Sequence, residues 1–342
     1  MMTADVRDGC QTTAAGTTMR AVVQSAYGTA DVLSLEDVAM PTMGEDQVLV
    51  RVHGAALNAG DLHLLSGKPY LVRLMGFGLF RPKVAIAGLA MAGRVEAVGL
   101  RVTQFRPGDE VYGEIPRGAF AEYACVSETL LAHKSSKLTF EQAAALPVAA
   151  TSALQALRDV AQLTPGQRVL INGAAGGVGT FSVQIAKSMG ALVTAVGSTS
   201  SLPMLRDLGA DEAIDYTQDD FTLGGRRFDV MLDLVGNRTL AECRSVLKPE
   251  GRYIAAAGQM KGEWLGPVIW MVSVLMASLF RSQKMAPFVA TARQQDLEAL
   301  NELVDRGAVK PVIECTYELR DVPRAMHDLA TRQTEGKHVL SV

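Results

Sequence analysis

Between residue 19 and about residue 137 apolar and polar positions alternate in short runs. In residues 47–52 (QVLVRV), Val48, Val50 and Val52 fall on one face, the signature of a half-buried strand. Glycine and proline turn signals at 41–44, 67–69 and 106–109 (RPGD) separate these runs, so this part is predicted to be mainly β, a compact irregular barrel or sandwich. After Phe140 the texture changes to helix-forming alanine and leucine. Beyond Pro165 short apolar runs alternate with helical stretches: strands are predicted at 169–172, 192–196, 213–215, 228–235 and 252–257, and helices at 178–189, 202–208 and 238–247. Such βαβ units imply a parallel sheet with helices on both faces, and strands apolar along their whole length agree with burial on both sides. The segment from residue 297 onward returns to mixed character and ends in a predicted strand, 338–342, able to complete the first domain.

The composition suits two globular domains: 342 residues, 48% hydrophobic and 20% charged. With 33 basic against 36 acidic residues and no block of like charge, the chain lacks the footprint that nucleic acid or an anionic membrane requires. Cys10, Cys125, Cys243 and Cys315 show no C-x-x-C spacing, which fits a reducing cytoplasm. Residues 1–18 carry Asp5, Arg7 and Asp8 and no apolar core, so they read as a disordered tail and not as a signal peptide. Residues 264–280 form an uncharged run of about 17 residues, at the lower limit for a membrane span, shortened by Gly266 and Pro267. A helix buried at a pocket or subunit interface is the expectation, and membrane contact is the alternative.

The chemistry concentrates in residues 169–187 (VLINGAAGGVGTFSVQIAK), where a buried strand enters a glycine-rich turn and then a helix. Against the dinucleotide fingerprint G-x-G-x-x-G, positions 174, 176 and 179 hold Ala174, Gly176 and Gly179, with Gly173 just before and Gly177 and Val178 between. Gly176 lets backbone approach a pyrophosphate, Gly179 lets helix and strand pack closely, and the start of the helix presents free amides to the phosphates. An NAD site normally carries Asp or Glu at the end of the second strand. Here that position is Gly197, followed by Ser198, Thr199, Ser200 and Ser201. Losing the carboxylate removes repulsion toward a 2′-phosphate and the hydroxyls can donate to it, so NADPH is favoured over NADH, modestly because no Arg or Lys follows at once.

Together with this turn, the motifs YGTADVL (27–33), NAGDLHLLSG (58–67), GLAMAGRVEAVG (88–99), GDEVYG (108–113), GAFAEY (118–123), LGADEAIDY (208–216) and GKHVLSV (336–342) resemble the medium-chain dehydrogenase/reductase superfamily, in its zinc-independent quinone oxidoreductase-like branch. The resemblance implies an α/β protein with a GroES-like, mainly β catalytic domain (19–146 and 286–342) and a Rossmann, doubly wound parallel-sheet domain (147–285). It further implies an active site between the two, and a homodimer. Zinc-dependent relatives carry ligands where this chain has Asn58, Leu89 and Ala90, so zinc has no site. Ala59, Ala90 and Ser200 depart from the nearer branch.

Without a metal, the acceptor oxygen needs hydrogen-bond donors and a proton. Asn58 is the family's donor toward the nicotinamide ribose or substrate, and Asp61 fixes its loop. His63 and Tyr70 are the candidate proton donors. The resemblance places Thr151 beside the nicotinamide, Tyr216 beside the adenosine phosphate, Val235 and Gly236 after the fourth strand, Gly258 near the nicotinamide and Lys337 in the C-terminal motif. The expected activity is hydride transfer from NADPH to a quinone or α,β-unsaturated carbonyl, a small apolar electrophile. The alternatives are an NAD(P)-dependent alcohol dehydrogenase or carbonyl reductase, and a non-catalytic NADPH-binding scaffold or membrane-associated regulatory protein.

Overall fold

The computed structural model describes residues 18–71, 73–256, 266–278, 282–331 and 334–342. Strands β1 (Thr18–Gln24) and β2 (Leu33–Ala39) form an antiparallel ladder. After them come β3 (Gln47–Ala56), helix α1 (Ala59–Ser66), β4 (Ala90–Val98), β5 (Glu110–Glu114), β6 (Tyr123–Ser127) and β7 (Leu131–His133). Val48, Val50 and Val52 are all buried on one face of β3, as their spacing requires, and pack with Phe105, Phe120 and Leu340 in one core. Two helices, α2 (Phe140–Ala144) and α3 (Ala149–Gln155), lead into the second half. Thr139 starts α2 with a capping box, its Oγ1 accepting from the Gln142 amide while the Gln142 side chain accepts from its own.

The second half alternates as predicted: β8 (Arg168–Asn172), α4 (Gly177–Ser188), β9 (Leu192–Gly197), α5 (Leu202–Asp207), β10 (Glu212–Asp215), β11 (Phe228–Asp233), α6 (Leu240–Ser245), β12 (Leu247–Ala255), α7 (Gly266–Ser278) and β13 (Lys284–Pro287). All six strands are parallel, in the order β10-β9-β8-β11-β12-β13. The order reverses beside β8, and this switch point is where doubly wound sheets bind ligands. Several elements differ from the sequence reading; the strand predicted at 252–257, for one, opens already at Leu247. The strand predicted to run to residue 235 stops at Asp233, whose carboxylate accepts from the amides of Val235 and Gly236 and turns the chain. The helix predicted over 238–247 begins only after Thr239, where a capping box with Glu242 fixes its start, and it has ended before Leu247, which opens β12.

Of the apolar run at 264–280, residues 266–278 form α7. Val274 packs into the core with Met285, whereas Val272, Leu275 and Met276 are about half exposed. Among the described residues no helix is long and apolar enough to cross a membrane.

The chain finishes with α8 (Gln294–Asp305), β14 (Ile313–Glu318), α9 (Val322–Thr331) and β15 (Lys337–Ser341). Strand β15 pairs antiparallel with β3, so the C-terminus completes the first sheet, in the order β14-β15-β3-β4-β5-β7 with β6 on β3. On its way it crosses the glycine turn: Gly336 bridges Gly176, and its amide donates to the Ala175 carbonyl at 2.8 Å. The two sheets are thereby tied together at the mouth of a cleft.

Candidate active site

The cleft, of about 660 Å³, lies at the carboxyl ends of β8, β9 and β11 and is closed on the other side by α1, α9 and the approach to β15. Gly173 opens the turn with φ +86°, a conformation that side chains other than glycine resist. At Gly179 an added Cβ would sit 2.2 Å from the Gly173 carbonyl oxygen, so only glycine lets α4 approach β8 this closely. Gly176 differs: a Cβ there would meet nothing nearer than 3.8 Å, so its backbone lies bare on the cleft side. It is the N-cap of α4, no side chain caps that end, and the first amides of the helix, at Gly177, Val178 and Gly179, line the cleft. A bare backbone cradle at a helix start suits a diphosphate.

Ala174 does not line the cleft. It is fully buried, and its amide donates to Val196, joining the turn to β9. At the far end Ser198, Ser200 and Tyr216 line the wall, whereas the Thr199 hydroxyl is committed to Asp215 at 2.5 Å. Beneath the floor lies Asp233, which sequence reasoning missed. It is completely buried and accepts from Asn172 Nδ2 (2.8 Å), the amides of Val235 and Gly236 (3.2 and 2.9 Å) and the Tyr253 hydroxyl (2.8 Å). Burial and the Asp233 charge push Tyr253 upward, which keeps it a protonated donor. Burial foremost, with the same charge, raises the Cys243 thiol to about 12. This network holds Val235 and Asn237 on the cleft wall and Gly236, at φ +70°, just behind it.

On the opposite wall Ala59 and Leu62 of α1 face the cleft. Asn58, at the N-cap, is buried; its Nδ2 donates to Ala56 at 3.0 Å and its Oδ1 accepts from Lys337 Nζ at 2.5 Å. Lys337 also donates to the Leu57 carbonyl at 2.6 Å, and its stem lies against Gly177. The lysine therefore joins the phosphate turn to Asn58. Asp61 completes the group, accepting from the Asn58 amide at 2.8 Å. Burial lowers Lys337 to about 8 and raises Asp61 to about 7; burial likewise raises nearby Glu114 to about 7.

The signs of these shifts fix a pH dependence. In the unfolded chain Asp61 ionises near 3.8 and in the folded chain near 7, so the folded state is progressively penalised as pH rises through that interval. Stability of the wild type relative to Asp61→Asn, measured by urea unfolding, is expected to fall between pH 3.8 and about 7 and to level off above. A difference independent of pH would contradict the assignment.

Of the predicted dinucleotide residues, Gly173, Gly176, Gly177, Val178, Gly179, Ser198, Ser200, Tyr216 and Val235 share the cleft lining, whereas the predicted proton donors stand outside it. His63 is exposed on the outer face of α1, with Nδ1 donating to the Lys68 carbonyl at 3.0 Å, and Tyr70 packs its ring against the Arg73 guanidinium at 4.7 Å. Neither lines the cleft. Thr151 is buried in α3, and its hydroxyl has no hydrogen-bond partner among the described residues. Gly258 lies outside the described residues. Among the described residues no group of three or more His, Cys, Asp or Glu side chains is placed to hold a metal ion.

Fold and cleft together define a two-domain, dinucleotide-dependent oxidoreductase. Residues 44–136 match the alcohol dehydrogenase GroES-like domain and residues 208–340 the zinc-binding dehydrogenase family. The chain is 36% identical to the 2-methylene-furan-3-one reductase of Solanum lycopersicum, over 94% of this chain and 79% of that protein. It is 33% identical, over the same shares, to the chloroplastic NADPH-dependent alkenal/one oxidoreductase of Arabidopsis thaliana. The solved structure of the quinone oxidoreductase from Coxiella burnetii superposes with a TM-score of 0.85 at 28% identity, covering 95% of this chain and all of that one. The protein belongs to the medium-chain dehydrogenase/reductase superfamily, in its quinone oxidoreductase-like branch, and uses a nicotinamide dinucleotide.

Proposed function

We propose that the protein reduces a quinone or α,β-unsaturated carbonyl compound with hydride from NADPH, without zinc. The observation that carries this reading is the bare glycine cradle on one wall of a cleft whose other wall, at Ala59, Leu62 and Leu329, is apolar. The bound dinucleotide supplies the hydride. The protein's part is to hold the diphosphate on the amides of residues 177–179, exclude water with the apolar wall, and keep Asn58 and Lys337 in fixed orientation behind the turn. Conjugated acceptors suit a site where the candidate proton donors stand away from the cleft, since a delocalised anion persists long enough to leave the cleft and take its proton from solvent. Ser198 and Ser200 on the wall support room for a 2′-phosphate. Zinc independence is supported by Asn58, Leu89 and Ala90, which offer neither thiolate nor imidazole.

The same reading carries the expectation of a cytoplasmic homodimer. In support of the dimer, β13 is, among the described residues, an edge strand of the six-stranded sheet, the kind of strand that can pair with a second copy.

The test is to mix the metal-stripped protein with NADPH and a panel of quinones, alkenals, simple aldehydes and alcohols. Loss of nicotinamide absorbance with quinones or alkenals, and little with simple aldehydes, is expected. Turnover of simple aldehydes or alcohols alone would favour an alcohol dehydrogenase or carbonyl reductase. Inactivity with every acceptor would overturn the reading.

A further inference from the structure

We infer that Glu335 is the group that sets the choice between NADPH and NADH. The inference rests on the dinucleotide reading above. In a doubly wound sheet the carboxylate that bonds the ribose 2′-hydroxyl stands at the end of the second strand, here at Gly197. Gly197 has no side chain to offer, and an added Cβ would crowd Ser201 Oγ at 2.3 Å and a Leu205 methyl at 2.7 Å, so those two side chains would have to turn aside. A carboxylate reaches the same end of the cleft from the other domain. Glu335 lines the wall with Ser198 and Ser200, and its Oε1 accepts from the Ser200 hydroxyl at 2.6 Å.

Its main chain is fixed on both sides. The Glu335 amide donates to Glu314 at 2.8 Å, and the next residue, Gly336, is bonded to Ala175 of the glycine turn. Among the described residues that line the cleft, Glu335 is the only charged one. Two effects act against a 2′-phosphate. The carboxylate repels it, and the hydroxyl of Ser200 that would donate to it is spent on Glu335. Toward a 2′-hydroxyl both effects reverse, because a carboxylate accepts from it. Glu335 thus offsets the preference that the serine run alone would give, and the wild type discriminates weakly.

The decisive measurement is the ratio of dissociation constants for NADH and NADPH, read from nicotinamide fluorescence titrations of the full-length wild type and Glu335→Gln. Removing one like charge near the surface is expected to shift the ratio toward NADPH by about tenfold, with 2′,5′-ADP gaining over ADP in the same direction. Glu335→Ala must shift the ratio the same way if the glutamine variant is not recovered folded. Both dinucleotides binding with an unchanged ratio would overturn the inference and leave the dinucleotide site standing. Neither binding to the wild type would overturn the site itself and the inference with it.

Discussion

Replacing Gly179 by valine is expected to weaken dinucleotide binding strongly and to destabilise the protein by about 3 kcal/mol or more, at the upper end of the cost of overpacking a close contact. The reason is geometric. The first added carbon would sit 2.2 Å from the Gly173 carbonyl oxygen and 2.6 Å from Ala174 main-chain atoms. Nothing there is the yielding end of a side chain, so α4 must move away from β8, carrying with it the amides that face the cleft. Binding should weaken about 100-fold or more, since each tenfold corresponds to about 1.4 kcal/mol. Valine at Gly176 makes a contrast: it has space, so it should leave the melting temperature nearly unchanged while blocking the dinucleotide. Thermal unfolding and fluorescence titration of the two variants separate these effects. Equal stability losses would contradict the division of labour between the two glycines.

The second large effect is expected at Asp233. Asp233→Ala takes the acceptor from Asn172, Tyr253 and the amides of Val235 and Gly236, all at the base of the cleft. Buried donors left unpaired cost about 1–3 kcal/mol each, and partial relaxation brings the expected total to about 3–5 kcal/mol. Asp233→Asn keeps one acceptor oxygen and should cost clearly less. Because the network shapes the loop at 234–237, the alanine variant should also bind the dinucleotide more weakly at temperatures where it remains folded. Chemical unfolding gives the stability, and a loss below about 1 kcal/mol in the alanine variant would show that the network is not what holds this floor.

The parallel half is legible in the sequence because its strands are buried on both faces and read as unbroken apolar runs, and because backbone geometry demands glycine at 173 and 179, at the two ends of the turn. The end of β11 is not legible in the same way. Leu234 and Val235 continue the apolar run, yet the strand stops before them because the Asp233 side chain turns the backbone. Acidity alone recommends His63 as a proton donor, but helical phase points elsewhere, with Ala59 and Leu62 toward the cleft, Leu64 and Leu65 into the core and His63 left outside. Asn58 and Lys337 each stand out in their own motifs, but their contact, across 279 residues, is invisible to local pattern. The same holds for Glu335, which meets Ser200 from 135 residues away. Long-range pairings of polar side chains depend on how the last strand returns to the first sheet, and no periodicity encodes that.

The most direct test is a crystal structure of the protein grown with NADPH or NADH. The diphosphate should lie against the amides at the start of α4, residues 177–179, with the adenosine ribose toward Ser200 and Glu335. A dinucleotide bound elsewhere on the molecule, with these amides facing only solvent, would contradict the account.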